Sequence, residues 1–67
     1  MPIITQYELK KLKRIAAESV RRDVEFGDWL AEYVPLLVDR GETQLAATAI
    51  CSKIWRDACE EDQGVKL

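Results

Sequence analysis

The chain has 67 residues, of which 48% are hydrophobic and 33% charged, and its formal net charge is −2. This length predicts one small domain over residues 1–67, and the composition is that of an ordinary globular protein. The same composition excludes an intrinsically disordered chain. Domains this short have small cores, which are usually supplemented by a disulfide, a metal or another chain.

The two cysteines, Cys51 and Cys59, lie eight residues apart in one strongly helical segment. Eight residues of helix rise about 12 Å, whereas a disulfide requires Cα atoms within about 7 Å of each other. Histidine is absent, so carboxylates would have to complete a zinc site. We therefore expect no disulfide, no metal and no cofactor, and two thiols in a reducing compartment.

Targeting and membrane signals are missing from the sequence. Residues 1–5 lack the charged and then apolar pattern of a signal peptide. The longest uncharged stretch, Thr43 to Ser52, is far shorter than the roughly 20 apolar residues of a membrane span. These features predict a cytoplasmic protein that does not contact a membrane.

A capping box, Thr5 with Glu8, predicts the start of the first helix. Apolar residues then recur with helical spacing on one face, and the stripe stays in phase past Gly27. This favours one long helix over about 6–34, whereas Gly27 followed by Asp28 is typical of one helix ending and another beginning. Both alternatives remain open. The stripe consists of Leu9, Leu12, Ile15, Ala16, Val20, Phe26, Leu30 and Val34.

Pro35 predicts a bend, with 35–40 as a short separate helical piece that ends at Gly41. The last helix is expected over 43–62, with one apolar face and one charged face. The predicted fold is an all-α small bundle of three helical segments at about 6–26, 28–40 and 43–62, followed by a frayed tail at 63–67. The apolar face of the last helix comprises Ala47, Ile50, Cys51, Ile54, Trp55 and Ala58.

The residues needed for catalysis are also absent. Without histidine the chain lacks the usual general base at neutral pH. Cys51 lies in an apolar stripe, where a thiol stays protonated and unreactive. The three glycines are scattered and form no phosphate-binding loop. We expect no catalytic residue and no enzymatic activity.

Charge is distributed unevenly along the chain. Residues up to Arg22 include six basic and two acidic residues, whereas those from Asp23 onward include four basic and ten acidic ones. A basic first helix suggests phosphate contacts, but a sequence pI of about 5.0 favours a solvated face instead. The residues for the phosphate-binding alternative are Lys10, Lys11, Lys13 and Arg14.

A helix-turn-helix is a second form of the nucleic-acid alternative. The segment 35–40, the turn at Gly41 and the helix that opens at Thr43 have roughly the required spacing. Gln44 and Thr48 would then read bases together with Thr43. The acidic balance of this half of the chain argues against it, because DNA would repel it.

Three aromatic residues, Phe26, Trp29 and Tyr33, follow i, i+3, i+7 spacing and therefore share one side of a helix. If the first helix is continuous, Trp29 lies about 120° from the centre of the apolar stripe and is exposed. Exposed tryptophan and tyrosine are typical of binding hot spots, so we predict a protein-binding line. If the helix breaks at Gly27, Trp29 turns into the core instead.

These features predict a non-enzymatic protein-binding module. It would act as a regulator, adaptor or inhibitor by covering a surface on a larger protein, as small inhibitors of viral or mobile-element origin do. We also expect a homodimer, because the helices are too few to bury their own apolar stripes. The alternative is a small nucleic-acid-binding regulator that uses the basic first helix or a helix-turn-helix.

One form of self-association fails in the single-helix alternative. Two antiparallel copies of a long first helix would match Lys10 and Arg14 with Glu32 and Asp28. Those charges lie opposite the apolar stripe, so they could not meet across a contact that buries it. In that geometry they face solvent or a different partner.

Overall fold

A computed structural model describes residues 4–62 and contains three helices: α1 (Gln6–Arg21), α2 (Phe26–Asp39) and α3 (Gln44–Asp62). No strand is present in this part of the chain. The predicted all-α bundle of three helical segments is therefore confirmed. The tail predicted at 63–67 lies outside the described residues. None of the helices within 4–62 has the length and apolar character needed to cross a membrane.

Helix α1 begins with the predicted capping box. The Glu8 backbone N–H donates to the Thr5 hydroxyl at 3.2 Å, and the Thr5 N–H donates to the Glu8 carboxylate at 3.3 Å. These two bonds satisfy amide groups that have no partner within the helix. The local sequence therefore defines this end of the helix by itself.

The first break in the helical chain lies upstream of Gly27, so the continuous helix over 6–34 is wrong. Helix α1 ends at Arg21, and Asp23 takes the left-handed conformation, with φ of 62°. The Val24 N–H then bonds back to the Ser19 carbonyl at 3.0 Å, which completes a Schellman turn. Aspartate tolerates this conformation better than most residues, but glycine is its usual occupant. Gly27 lies in the first turn of α2.

The second turn forms where the sequence predicts it. Gly41 has φ of 113°, and the Glu42 N–H bonds to the Leu37 carbonyl at 3.1 Å. Thr43 then caps α3 by accepting a hydrogen bond from the Ala46 N–H at 3.1 Å. Two glycine-type turns thus reverse the chain twice and define the antiparallel order of successive helices.

Helix α2 continues through Pro35, so the segment predicted over about 28–40 is one helix and 35–40 is not a separate piece. Proline removes one helical hydrogen bond at this point. Val34 and Leu37, on either side of it, are both buried. Their packing requires the helical spacing to continue, and this outweighs the single missing bond.

Helix α3 is the central element, because both α1 and α2 pack against it while making few contacts with each other. The predicted apolar face of α3 is confirmed: five of its six residues are buried and Ile50 is partly buried. The core comprises Ile4, Leu12, Ala16, Trp29, Val34, Leu37, Ala47, Cys51, Ile54, Trp55 and Ala58.

The backbone conformations of Gly27 and Gly41 predict opposite effects of alanine substitution on stability. We expect Gly27→Ala to raise the free energy of unfolding by about 0.5–1 kcal/mol, because Gly27 is helical and a new Cβ meets no atom within 4 Å. We expect Gly41→Ala to lower it by about 1–2 kcal/mol, because its φ is positive. Urea unfolding followed by circular dichroism measures both. Destabilisation by Gly27→Ala would instead place the break at Gly27.

Candidate protein-binding face

Trp29 lies in the core and not on an exposed contact line. Its side chain is 1% exposed, and the indole Nε1–H donates to the Cys51 carbonyl of α3 at 3.1 Å. A carbonyl has two lone pairs, so it can accept this bond in addition to its helical one. The prediction of Trp29 as an exposed binding residue is therefore corrected. Because the chain breaks before Phe26, α2 is rotated so that the side carrying Trp29 faces α3.

Phe26 and Tyr33 remain at the edges of the same aromatic cluster. Ring centroids are 4.3 Å apart for Trp29 and Tyr33, 5.3 Å for Trp29 and Trp55, and 6.2 Å for Phe26 and Trp55. Phe26 is exposed and Tyr33 is half-buried. The three residues predicted as one line thus lie together in one cluster with Trp29 buried at its centre. Only Phe26 and Tyr33 retain exposed surface that a partner could contact.

Trp29→Ala is expected to lower the free energy of unfolding by about 3–5 kcal/mol, since it leaves a large cavity and removes a buried hydrogen bond. A domain this small has little more stability than that in total, so the variant should lose its cooperative thermal transition. In a Trp55→Phe background, Trp29 fluorescence should be blue-shifted and protected from acrylamide. Red-shifted, readily quenched emission from a folded Trp55→Phe variant would contradict the burial.

Burial also changes the acid–base behaviour of two groups. Loss of solvation raises the pKa of the Tyr33 hydroxyl above its ordinary value of 10.0, and the nearby Glu32 carboxylate raises it further. Loss of solvation likewise raises the pKa of the Cys51 thiol above 9.0. Both groups are therefore neutral at pH 7, and neither acts as an anion in this structure.

Alkaline pH should destabilise the fold through these groups. A raised folded-state pKa means that the folded protein holds its proton more tightly, so stability is complete below the unfolded pKa and falls above it. We expect the free energy of unfolding to decline from about pH 9 upward. Tyr33→Phe should reduce the decline in the free energy of unfolding above about pH 10. Cys51→Ala should reduce the part of the decline that occurs at lower pH. Identical slopes in urea titrations of all three proteins would contradict this.

An apolar groove runs between α1 and α2, which lie side by side on α3. It encloses about 350 Å³. Leu12 and Leu37 are buried at its floor, whereas Leu36 stands on its wall with 54% of its surface exposed. The lining residues are Glu8, Lys11, Leu12, Ile15, Tyr33, Leu36, Leu37, Asp39 and Arg40.

The rim of the groove carries charges of both signs. Glu8 and Arg40 form an ion pair across one end, which links the first turn of α1 to the C-terminus of α2. Lys11 and Asp39 stand on opposite sides, and both are exposed. An apolar interior with a polar rim is the usual anatomy of a protein interface.

Sequence reasoning did not single out Leu36, although a signal existed. Leu36 and Leu37 are adjacent apolar residues on one helix, and adjacent helical positions point about 100° apart. One of them must therefore lie away from the core unless the helix is buried all round. Leu37 is buried in the core, and Leu36 is left on the surface.

Other exposed apolar side chains lie outside this groove. Tyr7 on α1 is 74% exposed and Leu45 on α3 is 83% exposed. A shallow depression near the α2–α3 turn involves Val38 and Gln44, and it is more open than the α1–α2 groove.

The four residues of the phosphate-binding alternative, at positions 10, 11, 13 and 14, are all exposed on α1. Lys11 also borders the groove, where it could contact a protein partner instead of a phosphate. Two of the proposed base-reading side chains make local bonds: Thr43 caps α3, and the Thr48 hydroxyl donates to the Gln44 carbonyl at 2.8 Å. The nucleic-acid alternative stays a prediction.

Within residues 4–62, no three histidine, cysteine, aspartate or glutamate side chains come close enough together to hold a metal ion. Both cysteines are free thiols in this part of the chain. Comparisons with protein families, with curated proteins and with solved structures found no match to the chain.

Proposed function

We propose that this protein is a non-enzymatic protein-binding module that acts as a regulator, adaptor or inhibitor by covering a surface on a larger protein. The contact face is the outer side of α1 and α2, with the groove between them at its centre. The observation that carries this proposal is the exposed Leu36 beside an open apolar groove.

The face has the chemistry of a binding hot spot. Tyr33 offers an aromatic ring and a hydroxyl at the groove wall, next to the apolar Ile15 and Leu36. Such a combination of apolar area with a polar tip is enriched at protein interfaces. A standard interface buries about 800 Å² on each partner, which is a modest share of this protein's accessible surface of 4999 Å².

The charges of this face favour protein over nucleic acid. Helix α2 has three acidic residues and no basic one, so a phosphate backbone lying across both helices would be repelled. The groove rim itself has two cations and two anions. A protein surface with both signs complements this pattern better than a polyanion does.

Site-specific photocrosslinking in the source cell tests the class of partner. A benzophenone amino acid replaces Leu36 on the proposed face, and in a control it replaces Ala49, which is exposed on α3. We expect protease-sensitive adducts to a protein other than this chain from position 36 and none from position 49. Nuclease-sensitive adducts, or equal protein adducts from both positions, would overturn the proposal.

The energetic contribution of the groove is measured with a matched pair of leucine variants. We expect Leu36→Ala to weaken binding to the crosslinked protein about tenfold, or about 1.4 kcal/mol. The free energy of unfolding should change by less than about 1 kcal/mol. Leu45→Ala makes the same chemical change on α3, outside the groove, and should leave the affinity unchanged. Equal losses in both variants would contradict the assignment of the face.

A further inference from the structure

We infer that the α1–α2 face of the free protein binds a second copy of this chain, with α1 of each copy lying against α2 of the other. This inference rests on the proposed function, because it names the first occupant of the same face. A larger protein that binds the face must then compete with the second copy.

The two helices of the face carry opposite charge. Helix α1 has five basic and two acidic residues, whereas α2 has three acidic and no basic residues. Among residues 4–62 the one ion pair is that of Glu8 with Arg40, so no other residue in this range forms an ion pair with the remaining charges of α1 and α2. Each copy therefore presents a basic ridge and an acidic ridge, side by side, with an apolar groove between them.

The ridges follow heptad-like spacing on exposed positions. On α1 the exposed positions 7, 11, 14, 18 and 21 are separated by four and three residues in turn, and on α2 the exposed positions 28, 32, 36 and 39 are separated by four, four and three residues. Such spacing keeps side chains on one face of a helix. The outward residues are Tyr7, Lys11, Arg14, Glu18 and Arg21 on α1, and Asp28, Glu32, Leu36 and Asp39 on α2.

Charge selects one of two symmetric arrangements. When two copies meet face to face, a two-fold axis across the helices puts α1 on α1 and α2 on α2, which opposes like charges. A two-fold axis along the helices puts α1 of each copy on α2 of the other, antiparallel, which opposes unlike charges twice. Like charges facing each other are strongly unfavourable at an interface, so the axis along the helices is favoured.

The register within the protomer brings specific charges to the same level. Helices α1 and α2 are antiparallel, and the Glu8–Arg40 pair shows which residues lie side by side. A two-fold axis along the groove preserves this level between copies. With a rise of about 1.5 Å per residue, three pairs of opposite charge fall within about 3 Å of each other along the axis. They are Lys11 with Asp39, Arg14 with Glu32, and Arg21 with Asp28 of the second copy.

The apolar part of the face is complementary in the same register. Leu36 of one copy falls at the level of Leu12 in the other, where the groove is open. Covering Leu36 and the groove walls removes from water the apolar surface that the protomer leaves exposed. The contact thus combines a central apolar strip with two flanking rows of opposite charges, as in antiparallel helical bundles.

A charge-swap experiment with purified protein tests this arrangement. Variant A is Lys11→Glu with Arg14→Glu, and variant B is Glu32→Lys with Asp39→Lys. We expect the unmodified chain to sediment as a dimer at micromolar concentration, and each variant alone to dissociate at least about tenfold more readily. An equimolar mixture of A and B should form a heterodimer, because both rows of charges are then complementary.

Matched controls carry the same charge changes on α3. They are Lys53→Glu with Arg56→Glu for variant A, and Glu60→Lys with Glu61→Lys for variant B, all at exposed positions. Both controls should remain dimeric. Circular dichroism of every variant checks that helix content is unchanged, so that a loss of the dimer is not a loss of the fold.

Three results would overturn the inference. An unmodified chain that is monomeric at tens of micromolar would do so, as would a failure of A and B to pair. Tighter pairing of variant A with the unmodified chain than of the unmodified chain with itself would show that α1 lies on α1 instead, because the proposed arrangement keeps only one complementary row of charges in that mixed dimer and two in the unmodified one. In each case, adducts from position 36 to a protein other than this chain would still support the proposed function, whereas adducts to a second copy alone, together with an intact dimer, would leave self-association as the role of the face.

Discussion

The burial of Trp29 against α3 is the interaction on which the arrangement of the three helices depends. Its indole N–H reaches the Cys51 carbonyl, and its ring lies against Trp55. A buried indole N–H without an acceptor is unfavourable, so the hydrogen bond determines the rotation of α2 about its own axis as well as its distance from α3. Few other contacts in so small a protein combine this much apolar area with a directional constraint.

The groove is a consequence of this constraint. Because α2 turns Trp29 and Leu37 toward α3, and α1 turns Leu12 and Ala16 the same way, the two outer helices pack on α3 and not on each other. The space between them is closed at one end by an exposed ion pair, which contributes little energy by itself. What remains open is an apolar strip with Leu36 at its edge.

Because α1 is basic and α2 is acidic, the apolar strip has a basic side and an acidic side. Exposed charges on a helix are ordinarily well solvated and do not by themselves indicate a binding partner. Here the basic and the acidic helix lie side by side, so any partner that covers both must present the opposite order of charges. A second copy does so by symmetry. Self-association and binding to a larger protein would thus use one surface, which makes the concentration of the chain itself a factor in its availability.

Local signals in the sequence determined most of the fold. The capping box at Thr5, the turn at Gly41 and the apolar face of α3 depend on residues within a few positions of one another, and all three are present in the structure. The tertiary structure alone decided where the first break lies, which way Trp29 points and which of Leu36 and Leu37 is exposed. Asp23 is a weaker signal for a left-handed turn than the nearby Gly27, and an apolar stripe that stays in phase across a four-residue turn conceals the break. Whether an apolar side chain at the edge of a stripe is buried depends on the helix that lies against it, and that helix is contributed by residues far away in the sequence.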